Sequence, residues 1–270
     1  MEPLIAFSFA MDAPFHVDET VAVFVDGSAW LWSLGAASLE RRDTAGTFTA
    51  ELDDATTARI GRLADLVAGG AGSGTPPQRG LQLTVTTAGR SLSFALPASG
   101  DDDPVLQELA AVADDLIAAT ARRPLSAARA SARAFGPRIA RGQTEPALLV
   151  VSNPGAEAVT FLLRPEAIAF WDAPGSGGRE LWANVPNVSM GLLDSRSNLV
   201  DGIHVAAVLP PGGTATAVFL DALRPGPETE IHLAALVEGW IALLRPGEPP
   251  PAAPASPFWL ITHAARIEVG

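Results

Sequence analysis

Two β-branched or aromatic runs joined by a glycine turn, and in each case an acid-capped apolar stripe after them, occur twice within the first 120 residues. This recurrence constrains the fold most, because a strand pair with one apolar face needs a cover and a one-sided helix supplies it. Thr20–Val25 and Ala29–Leu34 flank Asp26-Gly27-Ser28, while Leu81–Thr86 and Ser91–Leu96 flank Thr87-Ala88-Gly89-Arg90. Glycine between two such runs predicts a hairpin. A further strand, Gly46–Leu52, leads into a helix capped by Asp53 or Asp54, with Ile60, Leu63 and Val67 on one side and Gly69-Gly70 at its end. Asp103 and Pro104 open a second helix, in which Leu106, Leu109, Val112, Leu116 and Ile117 recur at helical spacing. With Leu4–Met11 as a leading strand, residues 1–120 are expected to form an α+β domain. It would hold a four- or five-stranded antiparallel sheet with two helices on one face, a doubled hairpin-helix unit.

Charge marks where this pattern stops. Residues 1–115 carry 6 Arg and 17 acids, residues 145–270 carry 6 Arg and 13 acids, and Leu116–Thr144 carries 6 Arg and no acid, within a chain of net charge −12. Residues 121–146 therefore read as a basic Ala/Arg-rich linker, with Leu125–Phe135 as a helical segment and the arginines lying against the acidic surface of its neighbours. From residue 147 to residue 270 the pattern is β throughout. Ala147–Ser152 and Ala158–Leu163 flank Asn153-Pro154-Gly155; Ile203–Leu209 and Thr214–Leu220 flank Pro210-Pro211-Gly212-Gly213. Gly239–Leu244 and Phe258–Val269 form a third pair across the Pro-rich stretch Arg245–Pro257. Short strands with turn signals between them predict an immunoglobulin-like β-sandwich.

The chain contains no lysine, tyrosine or cysteine. That excludes thiolate nucleophiles, cysteine-bound metals, Schiff-base chemistry, the lysine-bearing phosphate loop and phenolic acids. The four histidines, His16, His204, His232 and His263, share no metal-ligand spacing, and no Gly-x-Ser-x-Gly elbow occurs. Asp101-Asp102-Asp103 reads as helix capping, Trp30 and Trp32 as one packed strand face, and Gly69–Gly74 as a connector following a helix. No catalytic residue, cofactor or metal is expected. An acidic chain repels phosphate backbones, no apolar run approaches the roughly 20 residues of a membrane span, and the N-terminus lacks a basic, then apolar, leader. The expected location is the cytoplasm, and the expected partner is another protein, with no nucleic acid and no membrane.

One stretch carries apolar residues without a strand period. Asn184–Gly202 holds Val188, Met190, Leu192 and Leu193, a compact apolar group on a long loop. Loops of this length are commonly functional, so these four are the candidate partner-binding residues; a packed core loop is the other reading.

Two resemblances follow from these stretches. In order of elements, and in Thr47–Val67 and Leu81–Leu96, residues 4–120 resemble emfourin, a bacterial inhibitor of a thermolysin-type protease. Residues 147–220 are similar to the β-sandwich of bacterial intracellular proteinase inhibitors. There the likeness lies in Val150-Val151-Ser152-Asn153-Pro154-Gly155, Gly178-Arg179-Glu180-Leu181-Trp182 and Leu209-Pro210-Pro211-Gly212-Gly213. The resemblances imply a non-catalytic protein-binding protein, in its most concrete form a cytoplasmic bacterial protease inhibitor with a protease as its partner, and they map no inhibitory residue onto either half. A structural or assembly subunit of a larger bacterial or phage-like complex is the alternative, and an enzyme using Asp, Glu, Ser, His or Arg is a third.

Overall fold

The computed structural model describes residues 2–11, 16–38, 40–72, 80–96, 103–164, 168–172, 179–182, 192–193, 205–223 and 230–270. The fold is β-rich with two helices. It divides into two compact units, and neither is one continuous stretch of chain. The first comprises Met1–Leu39, Gly46–Leu125 and Leu244–Pro250, the second Glu40–Ala45, Ser126–Leu243 and Pro251–Gly270.

In the first unit the strands are β1 (Ile5–Met11), β2 (Val17–Val23), β3 (Ser28–Gly35), β4 (Thr44–Glu51, whose first two residues belong to the second unit), β5 (Leu81–Thr87) and β6 (Arg90–Leu96). They lie in the order β4-β3-β2-β1-β5-β6 and every neighbouring pair with a described register is antiparallel. The sheet thus has six strands, one more than the upper expectation, because every apolar run of this region joins it. One cross-strand row shows how register is fixed: Phe48, Leu31, Val21, Phe7, Val85 and Leu92 stand opposite one another in sequence across the sheet and are all buried. A one-residue slip of any strand would turn its member of this row outward.

Helix α1 (Asp54–Ala68) starts where the Asp53 side chain accepts the Thr56 N–H at 2.6 Å, and α2 (Pro104–Thr120) where Asp103 accepts the Val105 N–H at 2.9 Å. Their buried stripes are Ile60, Leu63, Ala64 and Val67 on α1, and Leu106, Leu109, Val112, Ala113, Leu116 and Ile117 on α2. Helix α1 lies against β1, β5 and β6, and α2 against β2 and β3. The β2–β3 turn depends on Gly27, whose φ of +81° strains any residue with a Cβ.

The second unit contains most of β7 (Pro124–Ala134), then β8 (Arg138–Ile139), β9 (Glu145–Ser152), β10 (Val159–Leu163), β11 (Ala169–Asp172), β12 (Arg179–Trp182), β13 (Leu192–Leu193), β14 (Val205–Leu209), β15 (Thr214–Leu223), β16 (Glu230–Ile241), β17 (Ser256–Ile261) and β18 (Ala265–Val269). One sheet runs β7-β9-β15-β13 and another β12-β11-β16-β10-β14. On its remaining side the long β16 takes β18 along Glu230–Leu233 and β17 along Leu236–Ile241. The two sheets share a core in which Phe170 of β11 meets Phe219 of β15 edge-on, ring centres 5.1 Å apart. Gly239 sits where a Cβ would overlap the Leu162 carbonyl oxygen and press on the Phe258 ring.

Three expectations require correction here. Residues 125–135 are not helical; 125–134 lie in β7 and Phe135 follows it, because Ala128, Ala130 and Ala132 are buried while Arg129 and Arg133 point out, a two-residue period. Strands β9 and β10 do not pair with each other: β9 pairs with β7 and β15, and β10 with β14 and β16. Nor do β14 and β15 pair, so each of these turns hands the chain from one sheet to the other. Asn153 ties both crossings together. Its side-chain amide N–H groups donate to the Glu157 carbonyl at 2.8 Å and the Leu209 carbonyl at 2.9 Å, its Oδ1 accepts the Gly155 N–H, and its own N–H donates to Gly213. Turn residues of this kind serve a hairpin or a crossing equally well; the partners of Asn153 distinguish them.

Candidate functional site

The outward face of β7, β9 and β15 gathers apolar and cationic side chains. Each strand buries alternate residues, Ala130 and Ala132, Leu149 and Val151, and Ala215, Ala217 and Phe219, so the intervening residues face away from that core. They fall into three cross-strand rows: Arg129, Ser152 and Thr214; Ser131, Val150 and Thr216; Arg133, Leu148 and Val218. Leu148, Val150 and Val218 are half-buried and Arg133 is exposed. Beyond the last row stands Phe135, 72% exposed, its backbone N–H donating to Pro146 at 3.3 Å. An aromatic side chain this open is unusual, since burying a phenyl ring is worth about 2 kcal/mol.

The arginines of this face differ in their partners. At one end the Arg129 Nε donates to the Thr44 hydroxyl at 3.1 Å and lies 3.7 Å from the Asp43 carboxylate. Asp43 is buried, accepts the Thr44 O–H at 2.7 Å and has His263 Nε2 at 3.7 Å. Thr44 thus donates its hydrogen bond to the carboxylate while accepting one from Arg129, which makes this group a clasp on Asp43 and Thr44. Further along the chain and in the other sheet, Arg138 of β8 reaches Glu268 of β18 at 3.3 Å. The expectation that the basic stretch lies against acidic surface holds for these two side chains. Among the described residues Arg133 and Arg141 make no ion pair.

Of the four residues expected to bind a partner, Val188 and Met190 lie outside the described residues. Leu192 and Leu193 are not loop residues but form β13, opposite Ala217 and Thr216 of β15. Leu193 therefore extends the row of Ser131, Val150 and Thr216 at the backbone level. Residues 129–135 went unnoticed as a site because their alanine and arginine content suggests a helix; the alternation Ala-Arg-Ala-Ser-Ala-Arg over 128–133 is the signal that identifies the face.

Other polar groups serve the fold. Glu230 joins His232 at 3.0 Å and Arg266 at 2.6 Å across β16 and β18. His16 is exposed, His204 lies outside the described residues, and Asp103 caps α2. Trp32 is half-buried, its indole N–H donating to the Leu244 carbonyl at 2.7 Å with the Arg245 guanidinium over the ring; Trp30 lies 6.4 Å away. A cleft of about 310 Å³ between α1 and α2 is lined by Glu51, Asp53, Arg59 and Asp115 over Ile60 and Leu116. Asp53 is committed there to its helix cap and Arg59 to Glu108. Among the described residues no group of three His, Asp or Glu side chains could hold a metal ion, and no helix is long and apolar enough to cross a membrane.

No family model and no curated protein matches the chain. Among solved structures it is similar to the ASH / PapD-like domain of human CEP192 (PapD-like domain 7), at 13% identity over 50% of this chain and 85% of that one, with a TM-score of 0.19. It is also similar to the collagen adhesin (CNA) from S. aureus, at 7% identity over 97% of this chain and 82% of that one, with a TM-score of 0.18.

Proposed function

We propose that this chain is a non-catalytic protein-binding protein whose contact face is the outward surface of β7, β9 and β15. The observation that carries this reading is Phe135, 72% exposed beside Arg133 and beyond half-buried Leu148 and Val218. Aromatic and arginine side chains are the usual anchors of protein interfaces, where excluding water from the ring supplies affinity and the guanidinium supplies direction. The absence of cysteine, lysine and tyrosine removes thiolate, amine and phenolate nucleophiles, and no nucleophile elbow or metal-ligand spacing is present to organise the remaining hydroxyl, imidazole and carboxylate groups, which supports recognition over turnover.

In its most concrete form this is cytoplasmic bacterial protease inhibition. Its support is the recurrence of a hairpin and a helix in the first unit, which resembles emfourin, and the strand-and-turn pattern of residues 147–220, which resembles the proteinase-inhibitor sandwich. Titrating a thermolysin-type metalloprotease with the full chain is expected to give stoichiometric inhibition that Phe135→Ser weakens. Undiminished proteolysis at excess protein would remove inhibition from the reading. The alternative, an assembly subunit, draws on β14, which ends its sheet order and carries Val208 at 66% exposure. An open strand edge can accept a strand from another chain. Sedimentation of a stoichiometric particle sensitive to Val208→Asp would favour that role.

A further inference from the structure

We infer that the Phe135 face takes an acidic polypeptide segment carrying an apolar side chain, an inference that rests on reading this surface as a protein-contact face. The argument is charge complementarity. Leu116–Thr144 holds six arginines and no acid, in a chain that is otherwise strongly acidic. Two of those arginines, Arg129 and Arg138, are already engaged by Asp43 and Glu268; among the described residues Arg122, Arg123, Arg133 and Arg141 have no carboxylate, and of these Arg133 stands on this face. Arg133 precedes the exposed Phe135 by two positions and shares a cross-strand row with Leu148 and Val218. A carboxylate on the incoming segment would meet the guanidinium fork of Arg133 in two parallel hydrogen bonds. An apolar side chain one or two residues away would cover Phe135, Leu148 and Val218, removing the exposed ring from water.

The competing occupants fit less well. A phosphate backbone carries charge along its whole length, and Arg133, the one arginine of this face without a carboxylate, neutralises too few phosphates to hold it, whereas a carboxylate beside an apolar side chain asks for no more than one guanidinium. An anionic bilayer finds, among the described residues of this face, one protruding ring to insert and one arginine without a carboxylate. A second copy of the chain brings acidic surface of its own, so self-association belongs among the outcomes to be measured.

Fluorescence anisotropy with the full chain decides between them. The probes are a labelled peptide of glutamates around a Leu-Phe centre, the same peptide with glutamine for glutamate, a labelled DNA duplex and phosphatidylserine vesicles. The acidic peptide is expected to bind most tightly and to weaken as salt rises. Arg133→Glu and Phe135→Ser should each weaken it about tenfold or more, and Arg62→Glu on α1 should leave it unchanged. Thermal melts of the variants should match the parent, since both central residues are exposed. Failure of the acidic peptide to bind, its indifference to Arg133→Glu, or tighter binding of DNA or vesicles overturns the inference. So does a dimer, seen by sedimentation, that Arg133→Glu dissociates. If the glutamine peptide binds equally well and responds to Phe135→Ser alone, the contact face stands and the acidic partner falls. If no probe responds to either variant, the face falls with it.

Discussion

A single buried amide holds two chain crossings at Asn153. Truncation to alanine would leave the buried Leu209 carbonyl and Gly155 N–H without a partner, and the half-buried Glu157 carbonyl without its protein partner. We expect Asn153→Ala to cost about 3 kcal/mol in denaturant unfolding. Asn153→Asp should cost at least as much, because it sets carboxylate oxygens against two carbonyls; a near-neutral result for either would show that the crossings hold without this residue. Carboxylates elsewhere act in opposite directions. Hydrogen bonds from Thr56 hold Asp53 below its ordinary value of 3.8, and those from Ser28 do the same for Asp26. Their stabilising effect is present above pH 3.8 and disappears as pH falls through the lowered folded-state values. Asp114 is raised, first by burial, then by Asp115 and Glu19. Its destabilising effect is absent below 3.8, builds between 3.8 and its raised value, and is complete above that. Asp114→Asn should therefore raise Tm at neutral pH, with the gain vanishing on acidification; an equal gain at both pH values would refute the assignment to ionisation.

At the level of elements, legibility in the sequence followed how local the determining contacts are. The two hairpins of the first unit and both helix caps were readable because Gly27, Gly89, Asp53 and Asp103 act within a few residues of themselves. The crossings at residues 153–157 and 210–213 were not, since their meaning lies in a bond between Asn153 and Leu209, 56 residues apart. Strand β7 was missed for a different reason: alanine and arginine favour helices in isolation, and pairing with β9 overrides that preference. The Phe135 face inherited the error, because a strand had to be recognised before its outward residues could form one surface. Pairing also has a proteolytic signature. Within residues 121–146, an Arg-directed protease should cut after Arg141, in an exposed turn, well before Arg129 or Arg133 in the paired strand. Mass spectrometry of early fragments checks this order, and early cleavage at Arg133 would mean that β7 is not held as described.

For the whole molecule, the same cut has a second consequence. A break after Arg141 leaves Leu244–Pro250, which belongs to the first unit, on the C-terminal fragment, and most of β7, which belongs to the second unit, on the N-terminal one. The fragments should co-elute from a sizing column without denaturant; their separation would show that each half is complete without the other's segments. Unit one is finished only by the return of residues 244–250, where the Leu244 carbonyl accepts the Trp32 indole N–H and its N–H donates to the Thr47 hydroxyl at 3.0 Å. Trp32 and Leu244 are separated by 212 positions. On a translating ribosome, at about 5–20 residues per second, the indole must wait on the order of 10–40 s for that partner to be made. The N-terminal sheet is thus born with its Trp32 side uncovered, so this stretch of chain is the one most in need of a chaperone's attention during synthesis.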